Sequence, residues 1–224
     1  MNPEIYHPPA DLAKSPNTLS RVVTWIVGLA IGGIVAAIII PTTHRGGIAF
    51  RSIDASHLRQ IGQASLIYAS DKQDQLPQVD DIYAFARDLA RLGGLNDATI
   101  WVSSQTRDGA EYATLSTVLT SDRRSLNPTF AATRPSIAAA VRGLKINHPA
   151  TTPIAWTRGL QPDGTWSKDS PYGGDGGHIV FLGGNVSWFR DLKQPANALP
   201  RFDGQGTTTD IRAALPPDAV IANN

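Results

Sequence analysis

Apolar positions fall into three patterns along this chain: one unbroken run, two helical stripes and one alternating pair of short runs. The unbroken run is Val22 to Ile40, nineteen residues without an ionisable side chain, closed by Pro41. At about 1.5 Å rise per residue such a run crosses a bilayer core of about 30 Å. It predicts a transmembrane helix over 21–41. A cleaved signal has a shorter apolar core followed by a small-x-small site, so retention of the anchor is the reading. Residues 1–20 are polar, carry four prolines and show no apolar period, which predicts a disordered tail.

Behind the run, Gly46 and Gly47 loosen the chain, and a helix is predicted from about Arg51 to Ser70. Leu58, Ile61, Ser65 and Tyr68 recur there at steps of three and four, with Ile53 a turn earlier. The segment before Pro77 ends it. Asp81 to Leu92 predicts a second helix, with Ile82, Phe85, Leu89 and Leu92 on one stripe and Gly93-Gly94 closing it. Thr99–Ser103 and Thr152–Thr157 read as strands. Glu111–Thr120 and Ser136–Leu144 read as short helices or loops. Residues 159–177 hold six glycines and form a turn-rich loop. His178 to Phe189 alternates on both sides of Gly183-Gly184, which predicts a hairpin closed by a two-residue turn. Ile179 and Phe181 share one face, Val180 and Leu182 the other, and Val186 and Trp188 also share a face. Residues 193–224 are rich in Pro, Ala and Thr and predict a loose tail with one helical turn near Asp210–Leu215. The resulting fold class is α+β, with a domain over 42–192 built on a small antiparallel sheet.

Charge and composition narrow the function. A net charge of +1 in 224 residues, with no basic cluster, argues against nucleic acid as a partner. The chain has no cysteine, which removes disulfides, thiol nucleophiles and Cys-ligated metals. Its five histidines, His7, His44, His57, His148 and His178, stand in no metal-ligand spacing, and no nucleophile elbow or phosphate loop is present. No catalytic residue, resident metal or other cofactor is therefore expected. Two acidic loops have the oxygens for calcium: Asp71 and Asp74 with Gln73 and Gln75, and Asp169 with Asp175. Neither has an EF-hand pattern, so solvated turn carboxylates are the favoured reading. Trp101, Trp156, Trp166 and Trp188 read as core or strand-pairing residues rather than a stacking surface. Within the apolar run, Gly28 and Gly32 form a G-x-x-x-G pair with Ala36 a step beyond, and Gly33 lies beside Ala37. Such a small-residue stripe lets another membrane helix approach closely.

Three blocks, in order, resemble a known family. IGGIVAAIIIP (31–41), HLRQIGQASLIYASDKQDQLP (57–77) and HIVFLGGNVSWF (178–189) are similar to segments of pilin-like, type II secretion pseudopilin-type proteins. These correspond to the family's N-terminal helix, the end of that helix and a C-terminal hairpin. The resemblance implies a non-enzymatic, membrane-anchored subunit or accessory of a type II secretion or type IV pilus-like filament. Its partners would be the membrane and other copies or related subunits, packed through Gly28, Gly32, Gly33, Ala36 and Ala37. The alternative is an anchored envelope binding protein that keeps the fold without assembling.

The chain departs from the family at Leu19, where the cleavage glycine belongs, at Ser20, the usual aromatic start, and at Thr24, where the helix carries a glutamate. Lys14 and Arg21 precede the run, whereas Arg45, Arg51 and Arg59 follow it, so the positive-inside rule mildly opposes the family's orientation. Long domains translocate largely regardless of such charges. The resemblance therefore sets the expectation of a single-pass bacterial inner-membrane protein with its C-terminal domain in the periplasm or envelope.

Overall fold

The computed structural model describes residues 51–103 and 114–223. These belong to one compact unit, Ala49–Asn224. The apolar run 22–40, with Gly28, Gly32, Gly33, Ala36 and Ala37, lies outside the described residues, as does the predicted tail over 1–20. Among the described residues no helix is long and apolar enough to cross a membrane.

The unit is α+β. Helix α1, described over 51–70, lies along one face of a five-stranded antiparallel sheet. Its buried stripe holds Leu58, Ile61, Ala64, Ser65, Tyr68 and Ala69, close to the predicted one. Ser65 is tolerated inside because its hydroxyl donates to the Ile61 carbonyl at 2.8 Å. Ile53 departs from the prediction and is 42% exposed. The four-three step running back from Leu58 falls on Asp54. Gly62 sets the helix against the sheet, since a Cβ there would sit 2.8 Å from Val180 Cγ2.

Helix α2 (Ile82–Leu92) follows the predicted pattern. The Asp81 carboxylate caps it by accepting from the amides of Tyr83 and Ala84, both at 2.8 Å. Ile82, Phe85 and Leu89 are buried, whereas Leu92 in the last turn is 43% exposed. Gly93 ends the helix pressed on α1: a Cβ would lie 2.5 Å from the Ala64 carbonyl oxygen.

The predicted strand at Thr99–Ser103 is instead a 3-10 turn, Ala98–Trp101. Asp97 accepts from the Thr99 amide at 2.9 Å, a cap that outweighs the β preference of Thr-Ile-Trp. The turn plants Trp101 edge-on against Phe85, with ring centres 6.1 Å apart. A short helix α3 (Pro128–Ala131) brings Phe130 to the same cluster.

The sheet consists of β1 (Ile137–Arg142), β2 (Pro153–Thr157), β3 (Gly177–Phe181), β4 (Val186–Phe189) and β7 (Val220–Ala222), ordered β4-β3-β2-β1-β7. Strand β1 occupies a stretch with no strand signal. Its IAAAVR sequence has poor β propensity and no alternation, because a strand covered on both faces needs none. Strands β2 and β3 are equally buried, and the 159–177 loop packs on them. Trp166 lies over Gly177 there, where a Cβ would sit 2.5 Å from the indole, and its Nε1 donates to the Thr157 carbonyl at 3.0 Å.

The hairpin forms with the predicted alternation within its strands, and across it His178 opposes Trp188 and Val180 opposes Val186. Its turn is one residue longer than predicted. The Gly184 amide donates to the Phe181 carbonyl, the Phe181 amide donates to that of Asn185, and Gly184 takes φ +84°. Leu182, Gly183 and Gly184 thus make a three-residue connection with a left-handed glycine.

Of residues 193–224, predicted to be a loose tail, the described residues 193–223 are built into the unit. A two-stranded ladder of β5 (Leu199–Pro200) and β6 (Thr207–Thr208) leads to a 3-10 turn at Ile211–Ala214, as predicted for that stretch, and then to β7 on the edge of β1. Asn223 fastens the end by donating to the carbonyls of Pro135 and Ile137 at 2.9 and 2.7 Å.

Candidate functional site

The buried stripe of α1 turns polar at its N-terminal end, and the most chemically varied cluster of the unit gathers there. Asp54 stands where the next apolar residue of the stripe would fall. Its Oδ2 accepts from Ser103 Oγ at 2.7 Å and, by a short hydrogen bond, from the Tyr172 hydroxyl. One carboxylate therefore joins the helix, the segment after the 3-10 turn and the glycine-rich loop before β3. The Ser136 hydroxyl continues the network by accepting from the Ser103 amide at 2.9 Å.

His57, one turn along, shares with these groups a cavity of about 20 Å³ closed by Leu58, Ile100, Ile137, Thr157 and Pro171. That volume suits about one water molecule. Burial holds the His57 imidazole below its ordinary pKa, against the opposing pull of Asp54 and Asp97.

The outer wall is aromatic. Tyr172, His178 and Trp188 pack edge to face, with centroid separations of 5.0 Å for Tyr172–Trp188 and 4.8 Å for His178–Trp188. Cross-strand pairing sets the second contact, because His178 and Trp188 lie directly opposite in the hairpin. The Arg51 guanidinium lies 4.1 Å from the centre of the Trp188 ring. His178 is buried, and its Nδ1 finds no hydrogen-bond partner among the described residues. Burial and then the Arg51 charge push its pKa down to about 4. The Tyr172 hydroxyl is pushed up, first by burial and then by the Asp54 charge and hydrogen bond, with Arg51 opposing. Two hydroxyls, those of Ser103 and Tyr172, donate to the one Asp54 carboxylate and make a clasp, with the His178 imidazole packed beside it. Outside this wall, Arg51, Trp188, Arg190 and Asp175 line an open cleft of about 290 Å³.

Of the residues singled out in sequence, Asp71 and Asp74 are exposed on the turn after α1, where Gln73 and Asp74 take positive φ. Asp169 is exposed, and its backbone carbonyl accepts from Arg158 Nη1 at 3.1 Å. Asp175 stands at the cleft. Among the described residues no group of three or more His, Asp or Glu side chains is placed to hold a metal ion. Trp101 and Trp156 are fully buried and Trp166 nearly so, as expected of core residues. Sequence reasoning passed over Asp54, Tyr172, Ser103 and Arg51. The stripe carried one signal: stepping back from Leu58 by four and then three lands on Asp54 and Arg51, two charges on the face turned toward the core. No protein family matches this chain, and neither curated proteins nor solved structures yield a match.

Proposed function

We propose that this protein is a non-enzymatic, membrane-anchored, pseudopilin-like subunit or accessory of a type II secretion or type IV pilus-like filament. In this reading the 22–40 run is a retained single-pass anchor in a bacterial inner membrane, with the described unit on the envelope side. The observation that supports it is the placement of α1. An amphipathic helix, described from residue 51, stands downstream of the apolar run and lies along an antiparallel sheet that has the 178–189 hairpin at one edge. Gly28, Gly32, Gly33, Ala36 and Ala37 supply a close-packing stripe for neighbouring copies.

The absence of cysteine makes the test direct. Cysteines placed at Ile31 and Ile38, about 10 Å apart along a helix axis, are oxidised in the native membrane. A ladder of multimers is expected, because head-to-tail packing continues beyond two copies. A dimer with nothing larger, or no crosslink, overturns the filament reading.

A second reading is favoured by the clasp at Asp54 and the cleft beside it. There the protein is an anchored envelope binding protein that keeps the fold without assembling. Wild-type ligand binding together with a blank crosslinking experiment is the result that selects it.

A further inference from the structure

The cleft outside the aromatic wall contains two arginines with no carboxylate partner. Neither the Arg51 nor the Arg190 guanidinium forms an ion pair among the described residues; the ion pairs found there are Arg87–Asp88, Arg142–Asp80, Lys193–Asp163 and Arg201–Asp203. Both nonetheless line the same cleft of about 290 Å³, with Trp188 as its apolar wall. Among the described residues that line it, Asp175 is the one acidic side chain, against two arginines.

The Arg51 head group is held in place. It lies on the Trp188 ring at 4.1 Å, and that ring is braced edge-on by Tyr172 and His178. Tyr172 is in turn tied to Asp54. A guanidinium stacked on an indole loses little freedom when it binds, and its planar fork matches two oxygens of one anion. The cleft is also large enough for a headgroup-sized ligand, unlike the 20 Å³ cavity beside Asp54 and His57.

We propose that the Arg51–Trp188–Arg190 cleft binds a phosphate group, with Arg51 and Arg190 as its two cationic arms and Trp188 as the platform that orients Arg51. The phosphate comes either from an anionic lipid headgroup or from a soluble phosphate compound. Arg51 stands ten positions after Pro41, within about 35 Å of extended chain from the end of the apolar run, so a headgroup is within reach of an anchored chain. Binding does not depend on filament assembly, so this site and the filament reading stand or fall separately.

The test titrates the full chain in a neutral, phosphate-free detergent with inorganic phosphate and, separately, with dihexanoyl phosphatidic acid below its micellar concentration. Saturable binding at one site is expected. Arg51→Ala and Arg190→Ala should each weaken it about tenfold, the loss of one charge-assisted contact. Asp175→Asn should tighten it several-fold, an effect that a misfolded variant would not produce. Saturation by phosphatidic acid alone assigns the site to lipid, and saturation by both ligands assigns it to phosphate from any source. Absence of saturable binding, or binding indifferent to all three substitutions, overturns the proposal.

Discussion

The two ends of α1 are attached to the same sheet by different physics. Toward its C-terminal end, Gly62 brings the backbone against Val180 and Ala64 meets Gly93, with Ile61 and Ala69 buried beside them, and the side-chain hydrogen bonds described there, from Ser65 and Ser70, stay within the helix. Toward its N-terminal end, Asp54 and Arg51 fasten it through hydroxyls and an indole face. Close apolar packing is insensitive to pH and salt and tolerates almost no change of volume. A polar clasp is weaker and selective in direction, and it responds to protons and ions. The apolar end therefore fixes where the helix lies, and the polar end is where a ligand or the medium can act on it.

Breaking the apolar end should have the largest effect. Ile61→Ala removes a side chain with no exposed surface from the helix–sheet contact. It should cost about 4 kcal/mol of unfolding free energy, read as a fall in the urea midpoint with an unchanged m-value.

Acidification should separate the two ends next. His178 has a folded pKa of about 4, while in the unfolded chain it titrates near 6.5. As the pH falls below about 6.5 the unfolded state takes up the proton first, so stability is full above that point and is lost down to about pH 4. The gap corresponds to about 3 kcal/mol. His57 and His148, also held below the ordinary value, add to the slope with the same sign. Asp163, at about 2, loses its contribution only at lower pH. Urea midpoints at pH 7 and pH 4.5 should differ clearly in the native chain and much less in His178→Phe.

Asp54→Ala strips the acceptor from two hydroxyls at once and should cost about 2 kcal/mol. A double-mutant cycle with Tyr172→Phe should return a coupling of about 1 kcal/mol. A coupling near zero would mean that the Tyr172 bond adds nothing to the attachment. The smallest effect is expected at the exposed pair Arg142–Asp80, whose side chains are 42% and 79% exposed. Asp80→Asn should change stability by less than about 0.5 kcal/mol and should leave the pH slope intact.

Elements whose signal is local are legible in the sequence. Helix α2 could be read from Asp81, the Ile82–Phe85–Leu89 stripe and Gly93, because cap, period and stop lie within one short segment. The two strands of the 178–189 hairpin were equally legible, since alternation on both sides of a glycine pair marks them, but the turn is one residue longer than the pair suggests, and that sets which residues face each other. The buried stripe of α1 is visible too, except that its apolar period points to Ile53, whereas the helix turns Asp54 inward.

Tertiary structure decided everything that depends on a distant partner. Ile137–Arg142 became an inner strand because β2 and β7 flank it and both its faces are covered, which no alanine-rich hexamer announces. Residues 220–222 became an edge strand only because β1 was there to accept them. The clasp is non-local in the same way. Asp54, Ser103 and Tyr172 are 49 and 118 positions apart along the chain, and each looks like an ordinary polar residue until the fold closes them around one carboxylate oxygen. Periodicity reports which face of an element is buried, whereas chemistry depends on what meets that face, and here the meeting was settled by the packing of the whole unit.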